Sequence, residues 1–266
     1  GIPSEPTGFD DFTPSWTDTA FYPEWGTCPG LVLQPNSLAI KVIGDNSVGT
    51  DEIVIDNTAS NFDLYIDSVL VQSNISNYTA DLNLSPGQSK IIEMVPLTPA
   101  ANGDFTISDT NTNIITDIMQ WGDWTYTSAI SMFANCNGLT GATALDMPNL
   151  TSCNSMTFMF LGCGSLTSIN NIDQWDVSNV GSFNSTFKDC GVFNADLSGW
   201  DVSSATEMMA MFENCGLFNS DLSGWDVSNV TRFDSMFANA DSFDSSIGGW
   251  DVSSAAFSQN LDISGQ

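Results

Sequence analysis

The sequence predicts a two-domain protein: an all-β sandwich followed by an α/β solenoid built from units of 25 residues. Three observations carry this. Trp175, Trp200, Trp225 and Trp250 recur every 25 residues. Phe133, Phe160, Phe187, Phe212 and Phe237 form a second ladder, spaced by 27, 27, 25 and 25. Upstream, short β-branched runs alternate with turn residues over about 65 residues.

Residues 1–30 hold Pro3, Pro6, Pro14, Pro23 and Pro29 among aromatic residues, and read as an extended arm. Residues 31–103 read as the sandwich. Strands are expected at 37–43, 52–56, 64–71, 78–82 and 90–95, separated by Gly44-Asp45-Asn46, Asn57-Thr58 and Ser85-Pro86-Gly87. The boundary is expected near 100–104, and residues 104–266 form the repeat array.

Each repeat has two halves. Ala205, Met208, Met211, Phe212 and Cys215 fall at i, i+3, i+6, i+7 and i+10, which predicts a short helix with one apolar stripe. Leu197, Trp200 and Val202, then Leu222, Trp225 and Val227, then Ile247, Trp250 and Val252, keep an apolar 1-4-6 spacing that predicts a strand. A unit this short cannot bury its own apolar face, so stacking supplies the core. Parallel strands about 4.8 Å apart make five coils a rod on the order of 25 Å long.

The run from Met211-Phe212-Glu213-Asn214-Cys215 through Leu222-Ser223-Gly224-Trp225-Asp226-Val227-Ser228-Asn229-Val230 resembles the BspA-like leucine-rich repeat family of surface proteins. Asp117-Ile118-Met119-Gln120-Trp121-Gly122-Asp123-Trp124 is similar to the lead-in of such arrays. The resemblance covers roughly 104–266 and implies adhesion rather than catalysis, on cell surfaces or in phage and giant-virus proteins. The stretch Ile53-Val54-Ile55-Asp56-Asn57 through Leu84-Ser85-Pro86-Gly87 resembles Ig-like domains of the ASH/HYDIN kind, which implies a spacer or docking module.

Composition narrows the function. The chain has 32 Asp+Glu, 4 Lys+Arg and no His, for a net charge of −28. Lys41, Lys90, Lys188 and Arg232 are too few to neutralise phosphates, so neither nucleic acid nor an anionic membrane is an expected partner. Imidazole chemistry is absent. No run of 18 apolar residues is present to span a bilayer. The chain opens on Gly1 without a signal-peptide pattern, which fits either a removed leader or a portion of a longer product. Such charge suits an extracellular, cell-surface or virion-surface setting, where salt screens self-repulsion.

The candidate binding residues lie between the inward Trp and Val of each repeat. Asp176, Asp201, Asp226 and Asp251, with Ser178, Ser203, Ser228 and Ser253, are expected to form a row on an exposed sheet face; Asp146 continues it. Like charges in register need an offset: solvent and salt, turn hydrogen bonds, a protein or glycan partner, or calcium. Asp196 and Asp221 are expected to cap turns. The Trp and Phe ladders are expected in the core. Cys136, Cys163, Cys190 and Cys215, with Ala240 in the same slot, are expected as free buried thiols, since parallel Cβ vectors disfavour disulfides. No catalytic or metal-binding residue is assigned, and no cofactor is expected. The leading expectation is a non-enzymatic adhesion or recognition protein. Its alternatives are a phage virion protein docked on neighbouring subunits through its N-terminal half, and a calcium-dependent glycan-binding module.

Overall fold

The computed structural model describes residues 33–34, 36–44, 51–98, 101–109 and 113–256; the expected arm at 1–30 lies outside them. These hold ten strands: β1 Leu38–Ile43, β2 Glu52–Asn57, β3 Phe62–Ile66, β4 Val69–Ile75, β5 Asn77–Asp81, β6 Ser89–Pro96, β7 Phe105–Asp109, β8 Ile115–Gln120, β9 Gly141–Ala142 and β10 Ser168–Ile169. Among the described residues the fold is almost all-β, and the only helical element is a 3₁₀ turn at Ile172–Gln174.

The strands build two sheets, ordered β10-β9-β8-β1-β6-β3-β4 and β5-β2-β7. Alternation sets the faces: Ile53 and Ile55 of β2, and Phe62 and Leu64 of β3, point into the core. β1 lies between β6 and β8, so Leu38, Ala39 and Ile40 are buried in succession. The sheets meet where the Phe62 ring packs edge-on against Phe105 at 5.7 Å, and Phe105 against Trp124 at 4.8 Å.

The single strand expected at 64–71 is two strands, β3 and β4. They are joined at Asp67 (φ 50°) and Ser68 (φ 64°), both left-handed as a tight hairpin requires. Asp67 is held there by β6: its N–H donates to the Ile91 carbonyl and its carboxylate accepts the Ile91 N–H, each at 2.9 Å. The change of character expected near 100–104 is not a break in the sheet. β8 pairs antiparallel with β1 and parallel with β9, and β9 pairs with β10, so one hydrogen-bonded sheet runs from β4 into the repeats.

The helix expected in each repeat does not form. The N–H groups of Met208, Ala210, Phe212 and Asn214 donate to the Arg232, Asp234, Met236 and Ala238 carbonyls at 2.8–2.9 Å, in the next 25-residue segment. Phe183, Ser185, Phe187 and Asp189 donate likewise to Glu207, Met209, Met211 and Glu213. Local bonds close only tight turns, such as the four-residue turn from the Cys215 N–H to the Phe212 carbonyl at 3.1 Å. Ala210 (φ 51°) and Asn214 (φ 61°) are left-handed, as are Ser185, Asp189, Ser235 and Asn239 in the equivalent slots. A left-handed residue twice per segment cannot belong to an α-helix. It nonetheless returns Met208, Met211, Phe212 and Cys215 to the interior, so the apolar spacing imitates a helical stripe.

The strand expected at the 1-4-6 positions is also turn. Trp200 N–H donates to the Leu197 carbonyl at 3.1 Å and Ala205 N–H to the Val202 carbonyl at 2.9 Å. Sheet-like bridges between these later segments form one parallel row through Ser155, Ser182, Glu207 and Arg232, at the start of the segment-to-segment bonds described above.

The core is a set of ring columns. Trp200 stacks on Trp225 at 6.4 Å and Trp225 on Trp250 at 6.3 Å, both tilted by 3°. Phe160, Phe187, Phe212 and Phe237 stack at 5.7–5.9 Å. A third column, Phe193, Phe218 and Phe243, stacks at 6.1 and 5.9 Å and interleaves with the second: Phe212 and Phe218 are 3.9 Å apart. Sequence reading missed this column, although its 25-residue spacing was visible.

Candidate functional site

The outward face of the repeats is built from Asp-x-Ser turns. Each carboxylate accepts the backbone N–H of the serine two residues on: Asp176 from Ser178 at 3.3 Å, and Asp201, Asp226 and Asp251 from Ser203, Ser228 and Ser253 at 3.0 Å. The Ser178 and Ser203 hydroxyls donate to the same oxygen at 2.6 and 2.7 Å. This is the short-range bonding by which aspartate favours turns over sheet or helix. All four carboxylates are exposed, on a ridge of turns rather than on the expected sheet face.

The serine hydroxyl and N–H hold the Asp201, Asp226 and Asp251 carboxyls below their ordinary range. Repulsion from the next segment opposes this, from Asp226 on Asp201 and from Asp251 on Asp226. Asp201, Asp226 and Asp251 are therefore ionised at neutral pH, with their charge spread onto turn donors.

Asp196 and Asp221 form a parallel row. They accept the Ser198 and Ser223 N–H groups at 2.9 Å and, at 3.4 Å, the Ser220 and Ser245 hydroxyls of the following segment. Those serines accept the Leu197 and Leu222 N–H groups at 2.9 and 3.2 Å, so side chains carry the link between segments where backbone pairing is absent. Asp146 does not continue the outer row. Its carboxylate accepts the Trp121 N–H at 3.0 Å and the Gly122 N–H at 2.8 Å, capping the chain as it leaves β8.

Among the described residues of the repeats, Lys188 pairs with Glu213 at 2.8 Å and Arg232 with Asp234 at 3.4 Å. These pairs engage cations away from the Asp-x-Ser turns. Asparagines make further cross-links that sequence reading did not single out. Asn194 and Asn219 each accept, at 2.9 Å, a backbone N–H from the segment ahead, those of Asn219 and Asp244. The bare 25-residue recurrence of Asn was the available signal.

The Trp, Phe and Cys ladders are buried. Cys136, Cys153, Cys163, Cys190 and Cys215 are buried thiols that form no disulfide. Cys163, Cys190 and Cys215 donate to the Phe133, Phe160 and Phe187 carbonyls at 3.1, 3.1 and 2.9 Å. Burial pushes the Cys153 thiol up to about 11 and Cys215 up to about 12. Among the described residues, no three carboxylate or thiol groups converge as a metal-binding set. A shallow depression of about 230 Å³ lies between Thr58, Asp104, Phe105, Thr106, Ser128 and Ile130. Asp104 spends its oxygens there on Thr127 and Ser128.

The profile of a family described as "Mycoplasma protein of unknown function, DUF285" matches residues 154–262. The match lies on the repeats and is compatible with a BspA-like surface-repeat family. No curated protein and no solved structure matches the chain.

Proposed function

We propose that this is a non-enzymatic recognition protein displayed on a cell or virion surface. In this reading an Ig-like sandwich leads into a leucine-rich-repeat-like solenoid, and the solenoid presents its acidic ridge to a polar glycan or a basic protein surface. One observation carries the reading: Asp201, Asp226 and Asp251 recur outside rigid ring columns, each locked by its own serine. Pre-ordered side chains lose little entropy on binding, and a fixed row of one charge sign selects partners by complementarity.

Retention of the full chain on an array of neutral and basic glycans and lysine-rich peptides tests this, beside a variant carrying Asp201→Asn, Asp226→Asn and Asp251→Asn. The expected result is retention on at least one class, falling at least tenfold in the variant and weakening with salt. Retention unchanged in the variant, or none on either class, overturns the reading.

A further inference from the structure

Strand β4 ends the seven-stranded sheet. It pairs with β3 on one side and, among the described residues, with no strand on the other. Val69 (65% exposed), Leu70 (50%) and Val71 (43%) are open to solvent in succession, so neither face of the strand is covered. An exposed apolar edge is a template for pairing, and natural proteins usually blunt it with charge or proline. Here the strand VLVQSNI holds neither, in a chain with 32 acids; its irregularities are two register shifts against β3 and the left-handed Asn74 (φ 58°) near its far end.

Its two ends are acidic. Asp67 stands exposed just before the strand. At the far end the Asp63 carboxylate of β3 accepts the Ser73 hydroxyl at 2.6 Å and the Asn74 N–H at 2.9 Å. The strand thus offers an apolar centre with a carboxylate near each end, Asp67's turned to the Ile91 N–H of β6 and Asp63's to Ser73 and Asn74. A second copy suits it poorly. Antiparallel pairing of β4 with itself brings the Asp67 end of one chain to the Asp63 end of the other, between bodies of −28 each.

We propose that β4 is a strand-addition site for an extended segment of a partner protein, with apolar residues at alternate positions and lysine or arginine at both flanks. Main-chain bonds to the open edge supply affinity; the flanking cations supply register and selectivity. The site is independent of the Asp-x-Ser ridge, so either proposal can fail alone.

The test is amide hydrogen exchange of the full chain with the probe peptide KKTVTVTKK, against EETVTVTEE as control. The basic peptide is expected to slow exchange across residues 69–75 at least tenfold, with the effect shrinking as salt rises. The acidic peptide is expected to leave exchange unchanged. Val69→Lys with Val71→Lys, both at exposed positions, should abolish the protection without moving Tm. The proposal is overturned by protection that is absent from β4, by equal protection from the acidic peptide, or by a peptide-free dimer in sedimentation velocity that the double variant dissociates.

Discussion

The Trp225 indole N–H donates to the Leu197 carbonyl, 28 residues earlier, at 3.0 Å. Trp200 does the same to Ile172 and Trp250 to Leu222, at 2.6 and 3.0 Å. The ring column is therefore also a hydrogen-bond column, tying segments together where the backbone does not. It has a defective head: the Trp175 and Trp121 indole N–H groups are buried and find no acceptor among the described residues, and their rings meet edge-on at 5.2 Å.

That contrast gives a paired prediction. Trp225→Phe removes one of the two donors to the Leu197 carbonyl, leaving it the Trp200 N–H, at a cost of about 0.5–1.5 kcal/mol beyond the loss of ring area. Trp175→Phe loses ring area but removes an unsatisfied donor, which offsets part of the loss. Urea unfolding of both variants should find Trp175→Phe the milder by at least about 1 kcal/mol.

Ala210 separates helix from turn. In a helix, Ala210→Gly costs about 1 kcal/mol. At φ 51° the alanine Cβ is itself strained, by roughly 1–2 kcal/mol, and glycine relieves it. The variant is expected to be as stable as the parent or more so, by up to about 1 kcal/mol after the entropy cost of glycine. Calorimetry of the single variant reads this directly; a destabilisation near 1 kcal/mol would restore the helix.

The carboxylates divide by pH. Depressed folded values at Asp201, Asp226 and Asp251 contribute stability above their unfolded value, about 4, and that stability is lost as pH falls through the folded values. Glu93 runs the other way. It is buried in β6 beneath Gln34 N–H and Ser68, and burial raises its carboxyl, so its penalty sets in as pH rises through and above the ordinary value. Glu93→Gln is expected to exceed the parent in Tm at pH 7, with the gain vanishing toward pH 4. Ser228→Ala should move the Asp226 carboxyl titration upward when followed by NMR.

The thiol ladder is predicted to be inert. A thiol pushed up to about 12 carries only about one part in ten thousand thiolate at pH 8, and the core blocks reagents as well. Native protein treated with iodoacetamide should show no alkylation at Cys136, Cys153, Cys163, Cys190 or Cys215 by mass spectrometry; all five should label after denaturation.

Much of this architecture is legible in the chain. The Trp and Phe ladders announce the period, and the residues expected inside are inside, because burial follows the apolar pattern whatever the backbone does. The aspartates expected outside are exposed, and their Asp-x-Ser turns are local enough to read from four residues. What only the tertiary structure decided is the backbone path. The i, i+3, i+7 spacing of Ala205, Met208 and Phe212 fits a helix and an alternating turn equally well. The choice falls to hydrogen bonds reaching 24 residues ahead and to the left-handed angle at Ala210, which no local propensity favours. The same holds for the split at Asp67 and for the open edge of β4: both depend on which strand lies beside them, and that is a property of the assembled sheet.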